Sequence, residues 1–534
     1  MDGIGVPVKN FLNLFAAGCR SGLPGIDEEV RDHLGHREKT MKAGRREWLG
    51  LAVLAFPTLL LSLDMSVLHL AVPHLAADLR PSSSQLLWII DIYGFLVAGF
   101  LVTMGTLGDR IGRRKLLMIG GAAFGAASIV AAFAGSAEML VAARAVLGVA
   151  GATLMPSTLA LISNMFQDAK QRGTAIAVWM SCFMGGMVIG PVVGGVLLEN
   201  FHWGSVFLLA VPVMVLLLIT APKLLPEYKD TSAGRLDLVS VGLSLGAILP
   251  VIYGLKEIAK DGLGLVNVVV LVVGLLVGSV FVKRQRTLAA PMLDLSLFKV
   301  RKFSAALSIL AVGALTMGGL FLLVSQYLQL VAELDAAEAG LRLVPQAIAV
   351  VIGSLIAPKL AQRFRPEFVL GFGMLVASVG ILLFTQAEGP GGLLAIVIGL
   401  CVAAFGMGPQ GVLCTEMVVG SVPPQKAGAA SAMSETVAEF GIAMGIAVFG
   451  SVATAIYQSG VPAGTPDSLA GAVEAAGQLA PSAASDLIIT AQQAFTSGLH
   501  TVAGIGATIV VVFAVVGMIA LRKKSENAKE LVNS

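Results

Sequence analysis

Residues 48–521 fall into fourteen apolar runs of about 20 residues each, and that pattern constrains the chain more than any single motif. About 20 apolar residues are what a helix needs to cross the hydrocarbon core of a bilayer. In lipid only helices and closed barrels satisfy every backbone polar group. The runs lie near 48–72, 86–107, 116–135, 138–162, 174–198, 203–222, 237–255, 264–282, 304–330, 340–361, 368–386, 391–415, 427–456 and 498–521. Composition agrees, with 56% of residues hydrophobic and 13% charged, against about 25% charged in a soluble domain. A soluble core of this length could not hide so much apolar surface. The expected fold class is an all-α membrane protein with fourteen transmembrane helices.

Charge distribution orients the spans. With the N-terminus inside, the inner segments carry all of the 36 Lys and Arg residues except five. Four of those (Arg80, Lys256, Lys260 and Arg342) fall in outer loops, and Arg144 lies inside span 4. Both termini are therefore expected in the cytoplasm, in a multi-pass protein of the cell's inner membrane. The first 47 residues are polar, with Asp27, Glu28, Glu29, Arg31 and Asp32 close together, and read as a cytoplasmic tail. Met41, just before Lys42, Arg45 and Arg46, is an alternative start, and Ala16-Ala17-Gly18-Cys19 resembles a lipoprotein cleavage site only faintly. The long outer loop 457–497 has room for short helices at 467–478 and 482–496. The cysteines at 19, 182, 401 and 414 and the six dispersed His residues have no metal-ligand spacing, so no metal site is expected.

Five constellations carry chemistry. Between spans 2 and 3, Gly105-Thr106-Leu107-Gly108-Asp109-Arg110-Ile111-Gly112-Arg113-Arg114-Lys115 places an acid at a helix end beside a basic cluster. Asp109 there can make charge-assisted hydrogen bonds in one conformation and release them in another. Span 4 holds Arg144, which is costly in lipid and must face the protein interior. In span 5, Gly186, Gly190 and Gly194 recur every fourth residue, followed by Gly195, with Pro191 as a bend. Spans 1 and 2 each carry an acid, Asp64 and Asp91. Asp91 shares a helix face with Trp88 and Phe95, a setting that suits a lipophilic cation through Coulomb and cation–π attraction. In span 13, Glu435 and Glu439 are four apart on one face, and two such carboxyls in low dielectric are expected to share a proton. The competing reading of Glu439 is a packed or watery position with no coupling role.

The 105–115 loop resembles the signature inner-loop motif of the major facilitator superfamily. Leu360-Ala361-Gln362-Arg363, between spans 10 and 11, is a degenerate echo of Leu107-Gly108-Asp109-Arg110. The resemblance implies two six-helix pseudo-repeats with two inserted helices between them. The division would be tail 1–47, first half 48–222, linker 223–303 with the extra pair, second half 304–521 and tail 522–534. The glycine and proline pattern of span 5 is similar to the motif of exporting members, which importers generally lack. Arg144 with Gly148 and Gly151 is similar to the span-4 motif, which implies a part in proton transfer beside a structural ion pair. Taken with Pro291-Met292-Leu293-Asp294 before span 9 and Lys426-Ala427-Gly428 entering span 13, the chain resembles the fourteen-span drug/proton antiporters that export quaternary ammonium compounds and dyes. Two departures stand out: Ser434-Glu435 replaces the Glu-Glu pair of many relatives, and Val350 stands where some have an acid. Fewer acids imply a preference for monovalent over divalent cations.

The expected function is thus proton-coupled export of lipophilic cations. Asp64, Asp91, Glu435, Glu439 and Arg144 are the candidates for proton coupling. Asp91, Trp88, Phe95 and Glu435 are the candidates for cargo binding, and Gly105, Asp109, Arg110, Gly112 and Arg113 for the conformational gate. No Gly-x-x-x-x-Gly-Lys-Ser/Thr loop is present, so a proton gradient is the expected energy source and no cofactor is expected. The expected partners are small lipophilic cations, protons and the bilayer, with the protein a monomer and no nucleic acid bound. The alternative is an exporter of the same fold for a metabolite, lipid or peptide. A polytopic enzyme would need clustered nucleophiles that this sequence does not show.

Overall fold

The computed structural model describes residues 43–229, 237–261, 264–288, 291–423, 426–462, 464–466 and 468–522. The lipoprotein-like segment, the alternative start at Met41, most of the N-terminal tail and the tail beyond Arg522 lie outside these residues. The spans are α1 (Arg45–Leu79), α2 (Ser83–Ile111), α3 (Arg113–Ala132), α4 (Ala137–Met165), α5 (Ala169–Asn200), α6 (Ser205–Leu224) and α7 (Leu238–Asp261). They continue as α8 (Leu265–Thr287), α9 (Arg301–Gln326), α10 (Ala336–Arg363), α11 (Pro366–Leu383), α12 (Leu393–Val419), α13 (Ala427–Gly460) and α14 (Pro481–Arg522). Among the described residues, fourteen helices are long and apolar enough to cross a membrane when the bent α5 counts as one. The protein is an all-helical, multi-pass membrane protein.

Local chemistry starts these helices where the apolar runs begin. The Ser82 hydroxyl accepts from the Gln85 backbone N–H at 3.2 Å while the Gln85 side chain accepts from the Ser82 N–H at 2.8 Å, a reciprocal cap for α2. Asp168 and Asp335 cap α5 and α10 by accepting from the N–H groups of Gln171 and Glu338. Only Gly112 separates α2 from α3, at φ +113°, a backbone shape that a side chain would strain. The Arg113 N–H donates to the Tyr228 carbonyl at 2.9 Å, and those of Arg114 and Lys115 to the Glu227 carboxylate at 3.0 and 3.1 Å, so residues beyond α6 cap α3.

The packing scheme repeats. In the first half α1 lies on α4, α5 and α6, α2 on α4, and α3 on α4 and α6. Adding eight to each number gives the second half: α9 on α12, α13 and α14, α10 on α12, and α11 on α12 and α14. The halves meet along α2–α13 and α5–α10, two seams that the same shift exchanges. These are the two six-helix pseudo-repeats. The inserted hairpin α7–α8 sits against one seam only, with α7 packed on both α2 and α13. Most of α8 is apolar and exposed, including Leu265, Val269, Val273 and Leu276, as a lipid-facing helix should be. Asp237 anchors the base of the hairpin by accepting from Arg284 and Ser240 at 2.8 Å each. The Arg284 and Ser240 hydrogen bonds hold its carboxyl at about 2, below the usual carboxylate range.

Three expectations need correction. Lys256, Lys260 and Arg342 are not in loops: α7 continues through Lys256 and Lys260 to Asp261, and Arg342 lies on α10. Residues 482–496 are not a separate surface helix but the beginning of α14, which runs unbroken for 42 residues. Only the first proposed outer helix is separate, at Leu469–Ala476, with Leu469, Ala472 and Ala476 buried.

Candidate functional site

The glycine stripe of α5 fixes where α1 lies. A Cβ on Gly186 would strike Ser62 Oγ and the Leu59 carbonyl, and one on Gly190 would strike Ser66 Oγ. On Gly194 it would come within 2.9 Å of Val67, whereas beside Gly195 nothing lies within 4 Å. The straight pieces Ala169–Met187 and Val192–Asn200 meet at 41°, a bend that brackets Pro191. This close seat brings α1, and with it Asp64, against the neighbouring helices.

Asp64 pairs with Arg144 of α4, NH1 to Oδ2 at 2.8 Å, and the two side chains are only 10% and 2% exposed. Arg144 also donates from Nε to the Ile89 carbonyl of α2 at 3.1 Å and lies 4.8 Å from the Tyr93 ring centroid. One turn along α4, a Cβ on Gly148 would meet the Tyr93 carbonyl at 2.6 Å, so glycine there allows the approach of α2 that Arg144 needs. One guanidinium thus satisfies an acid, a carbonyl and a ring on three surfaces, which gives Arg144 the structural ion pair. Tyr93, 2% exposed and absent from the sequence candidates, lies within electrostatic reach of Asp64, Arg144 and Glu439.

The other acids sit where α2, α7 and α13 meet. Trp88 and Phe95 of α2 make an edge contact with ring centroids 6.3 Å apart. Between them Asp91 accepts from Lys256 Nζ of α7 at 2.8 Å, and the two side chains are 50% and 38% exposed. Asp91 is therefore not an isolated acid facing Trp88: it already holds an ammonium. Glu435 and Glu439 are half-buried on α13, and among the described residues neither has a hydrogen-bond or ion-pair partner. Glu439 acts electrostatically on Glu435, and Lys256 on Glu439.

A third cluster closes the α2–α13 seam at the face that carries the 105–115 loop, here called the basic face. Arg113, 1% exposed, donates to Asp109 Oδ1 from Nε at 2.8 Å and from NH2, and also to the Gly105 carbonyl. The other Asp109 oxygen accepts from the Ala429 backbone N–H at 3.0 Å, capping α13 from across the seam. Glycines make the fit possible. A Cβ on Gly105 would strike Ala432 and one on Gly428 would strike the Arg113 guanidinium. Beside this, Lys426 at the start of α13 pairs with Asp294 of the linker at 2.9 Å. Ser296 hydrogen bonding, aided by Lys426, holds the Asp294 carboxyl below the usual carboxylate range. Two sequence motifs 132 residues apart are thus one contact. The exchanged seam, α5–α10, has no acid at the place of Asp109, where Gln362 stands; Gln362 lines a cavity of about 390 Å³ there, with Arg172 and Glu416 3.9 Å apart.

Of the gate candidates, Asp109, Arg113 and Gly105 are thus brought together, as are Asp64 with Arg144 and Trp88 with Phe95. Sequence reasoning missed Tyr93, Glu227 and Lys256. Tyr93 lies two residues past Asp91 and was legible only by that closeness; Lys256 was legible only as a charge ending an apolar run.

Comparison with known proteins gives a consistent answer. The Major Facilitator Superfamily model matches residues 54–446. A multidrug efflux pump of Mycolicibacterium smegmatis, LfrA, is 44% identical over 494 residues, covering 91% of this chain and 98% of the pump. The methyl viologen resistance protein SmvA of Salmonella typhimurium is 33% identical over 490 residues, covering 89% and 98%. A probable actinorhodin transporter of Streptomyces coelicolor is 31% identical over 453 residues, covering 82% and 78%. Among solved structures, the human organic anion transporter TETRAN shares the fold with a TM-score of 0.59 at 14% identity, covering 87% of this chain and 99% of that one. With its repeated six-helix halves and its signature loop closing one seam between them, the chain belongs to the major facilitator superfamily.

Proposed function

We propose that this protein exports lipophilic monovalent cations in exchange for protons, by alternating access, across the cell's inner membrane. The basic face would be cytoplasmic and both termini would lie there. The observation that carries the reading is a set of four carboxyls: Asp91 of α2 and Glu435 and Glu439 of α13 stand on the two helices of one seam, and Asp64 of α1 is tied to α2 through Arg144. Arg144 balances Asp64 and Lys256 reaches Asp91, while Glu435 and Glu439 form no close ion pair among the described residues. A proton and a membrane-permeant cation are natural competitors for a carboxyl that forms no ion pair. The relatives' names as a multidrug efflux pump and a methyl viologen resistance protein support drug export. The gate cluster supports alternation, because Asp109 can bond Ala429 only while the basic face is closed.

The sign of the coupling follows from the exchange. A proton and a cation cannot both satisfy one carboxyl, so cargo affinity falls as pH drops, by reciprocal coupling of about 1–3 kcal/mol. The test is dye efflux in inverted vesicles with an imposed pH gradient. Transport should follow the gradient and collapse with it. Cargo affinity independent of pH between about 5 and 8, a window wide enough to catch carboxyls shifted by burial, would remove the antiport mechanism. The relative named as a probable actinorhodin transporter supports a second reading, export of a metabolite. Efflux of a neutral metabolite with no response to cations would favour it.

A further inference from the structure

The inserted hairpin has so far only a structural place, yet it delivers one charged group into the seam. Lys256 stands on α7 five residues before its end at Asp261, so it enters the bundle from the face opposite the 105–115 loop. Apolar contacts hold it there: Ile248 and Ile252 of α7 pack with Ala98, Phe95 and Val102 of α2 and with Phe440 of α13. Phe440 adjoins Glu439, and Phe95 lies one turn from Asp91. One ammonium is therefore poised between acids on the two helices that form the seam. It is bonded to Asp91 at 2.8 Å and acts on the Glu439 carboxyl.

Among the described residues, the charged groups on the helices packed against it are Asp91 on α2, Glu439 on α13 with Glu435 one turn before it, and its chain neighbour Glu257 on α7. The half of α8 nearest that face, from Leu265 to Leu276, has no charged residue. Beyond Tyr93, the Arg144 charge is already spent on Asp64. A primary ammonium on a flexible four-carbon stem is suited to exchange partners within one cluster.

We propose that Lys256 is a tethered counter-cation that occupies Asp91 in place of cargo and shifts toward Glu439 when that acid gives its proton to water. With Glu439 protonated, Asp91 is the ammonium's only charged partner on α2 and the cargo must displace it. With Glu439 ionised, the ammonium is drawn to α13 and Asp91 is freed for the cargo cation beside Trp88. Proton release and cargo binding are then linked through one lysine, and charge is conserved at each step. This rests on the cation/proton reading given above.

The experiment measures binding of ethidium, a fluorescent lipophilic monovalent cation, to the purified full-length protein at pH 5.5 and pH 8. The wild-type protein should bind more tightly at pH 8. Lys256→Gln and Lys256→Met, the latter keeping the apolar stem, should bind about 10-fold more tightly than wild type at pH 5.5, with a flattened pH profile. Lys256→Arg should restore the wild-type profile. In an Asp91→Asn background, Lys256→Gln should give no gain. If the wild type shows a pH slope but both neutral variants keep its slope and affinity, or bind more weakly, the role of Lys256 is overturned while antiport stands. If the wild type shows no slope, the antiport reading fails first and the lysine exchange falls with it.

Discussion

Asp109→Asn tests the gate most directly, and the structure sets its size. The carboxylate satisfies two buried donors, the Ala429 N–H and the Arg113 guanidinium, whose other acceptor is the neutral Gly105 carbonyl. Arg113 is 1% exposed, so the amide would leave a nearly water-free cation without its counter-charge. Removing one partner of a buried pair costs about 3–5 kcal/mol. That penalty applies only while the seam is closed, because opening the basic face hydrates Arg113. At about 1.4 kcal/mol per decade, the ratio of closed to open forms falls by roughly two to three and a half decades. Ala432, fully buried against Gly105, is a suitable reporter. In a background freed of the natural cysteines, Ala432→Cys should react with a hydrophilic thiol reagent about 100-fold faster in the Asp109→Asn protein, the low end of that shift. Cargo turnover should slow while affinity stays within a few fold. Unchanged labelling would refute the reasoning, as would lost affinity with normal turnover, because Asp109 would then not be holding the seam.

Two further outcomes follow from the same geometry. Asp64→Asn should lower the melting temperature of the purified protein, since Arg144 is left buried with only the Ile89 carbonyl and the Tyr93 ring; Asp64→Asn with Arg144→Met should recover most of the loss, the signature of an unpaired charge rather than lost packing. Gly190→Val should abolish dye efflux by pushing α5 off Ser66, while Gly195→Ala should transport normally because nothing lies within 4 Å of the added methyl; equal effects would show that the stripe is not a packing surface.

The number and type of spans were legible because lipid leaves a long apolar run no alternative to a helix. Their ends were less so. Lys256 looked like a loop residue because a charge ended the apolar run at residue 255, yet the backbone continues helical to Asp261 since Asp91 receives that charge. Residues 482–496 looked like a separate helix because their polar residues broke the hydropathy signal. Between Pro481 and Ser497 there is no Gly or Pro to stop a helix, and Thr490, Thr496 and Ser497 hydroxyls donate back to carbonyls one turn earlier. The short loop around Asp109 announced a charged helix end, but its partner lies 320 residues away and left no local trace. Glu227 had no signal at all: an acid following a span resembles any other until the fold brings it to the start of α3.

The 42 residues of α14 have a further consequence. At 1.5 Å per residue the helix is about 63 Å long, roughly twice the hydrocarbon thickness it crosses. Its first turns stand outside the bilayer as a stiff rod, braced where Gln492 donates to the Leu330 carbonyl and His500 meets the Ala387 carbonyl. The helix before Gln492, about 16 Å long, moves its tip by about 0.3 Å for each degree of tilt. Motion of the second half, too small to see between packed helices, is thereby magnified at an aqueous tip. A spin label or fluorophore at Ser482 would read the transport cycle from outside the membrane.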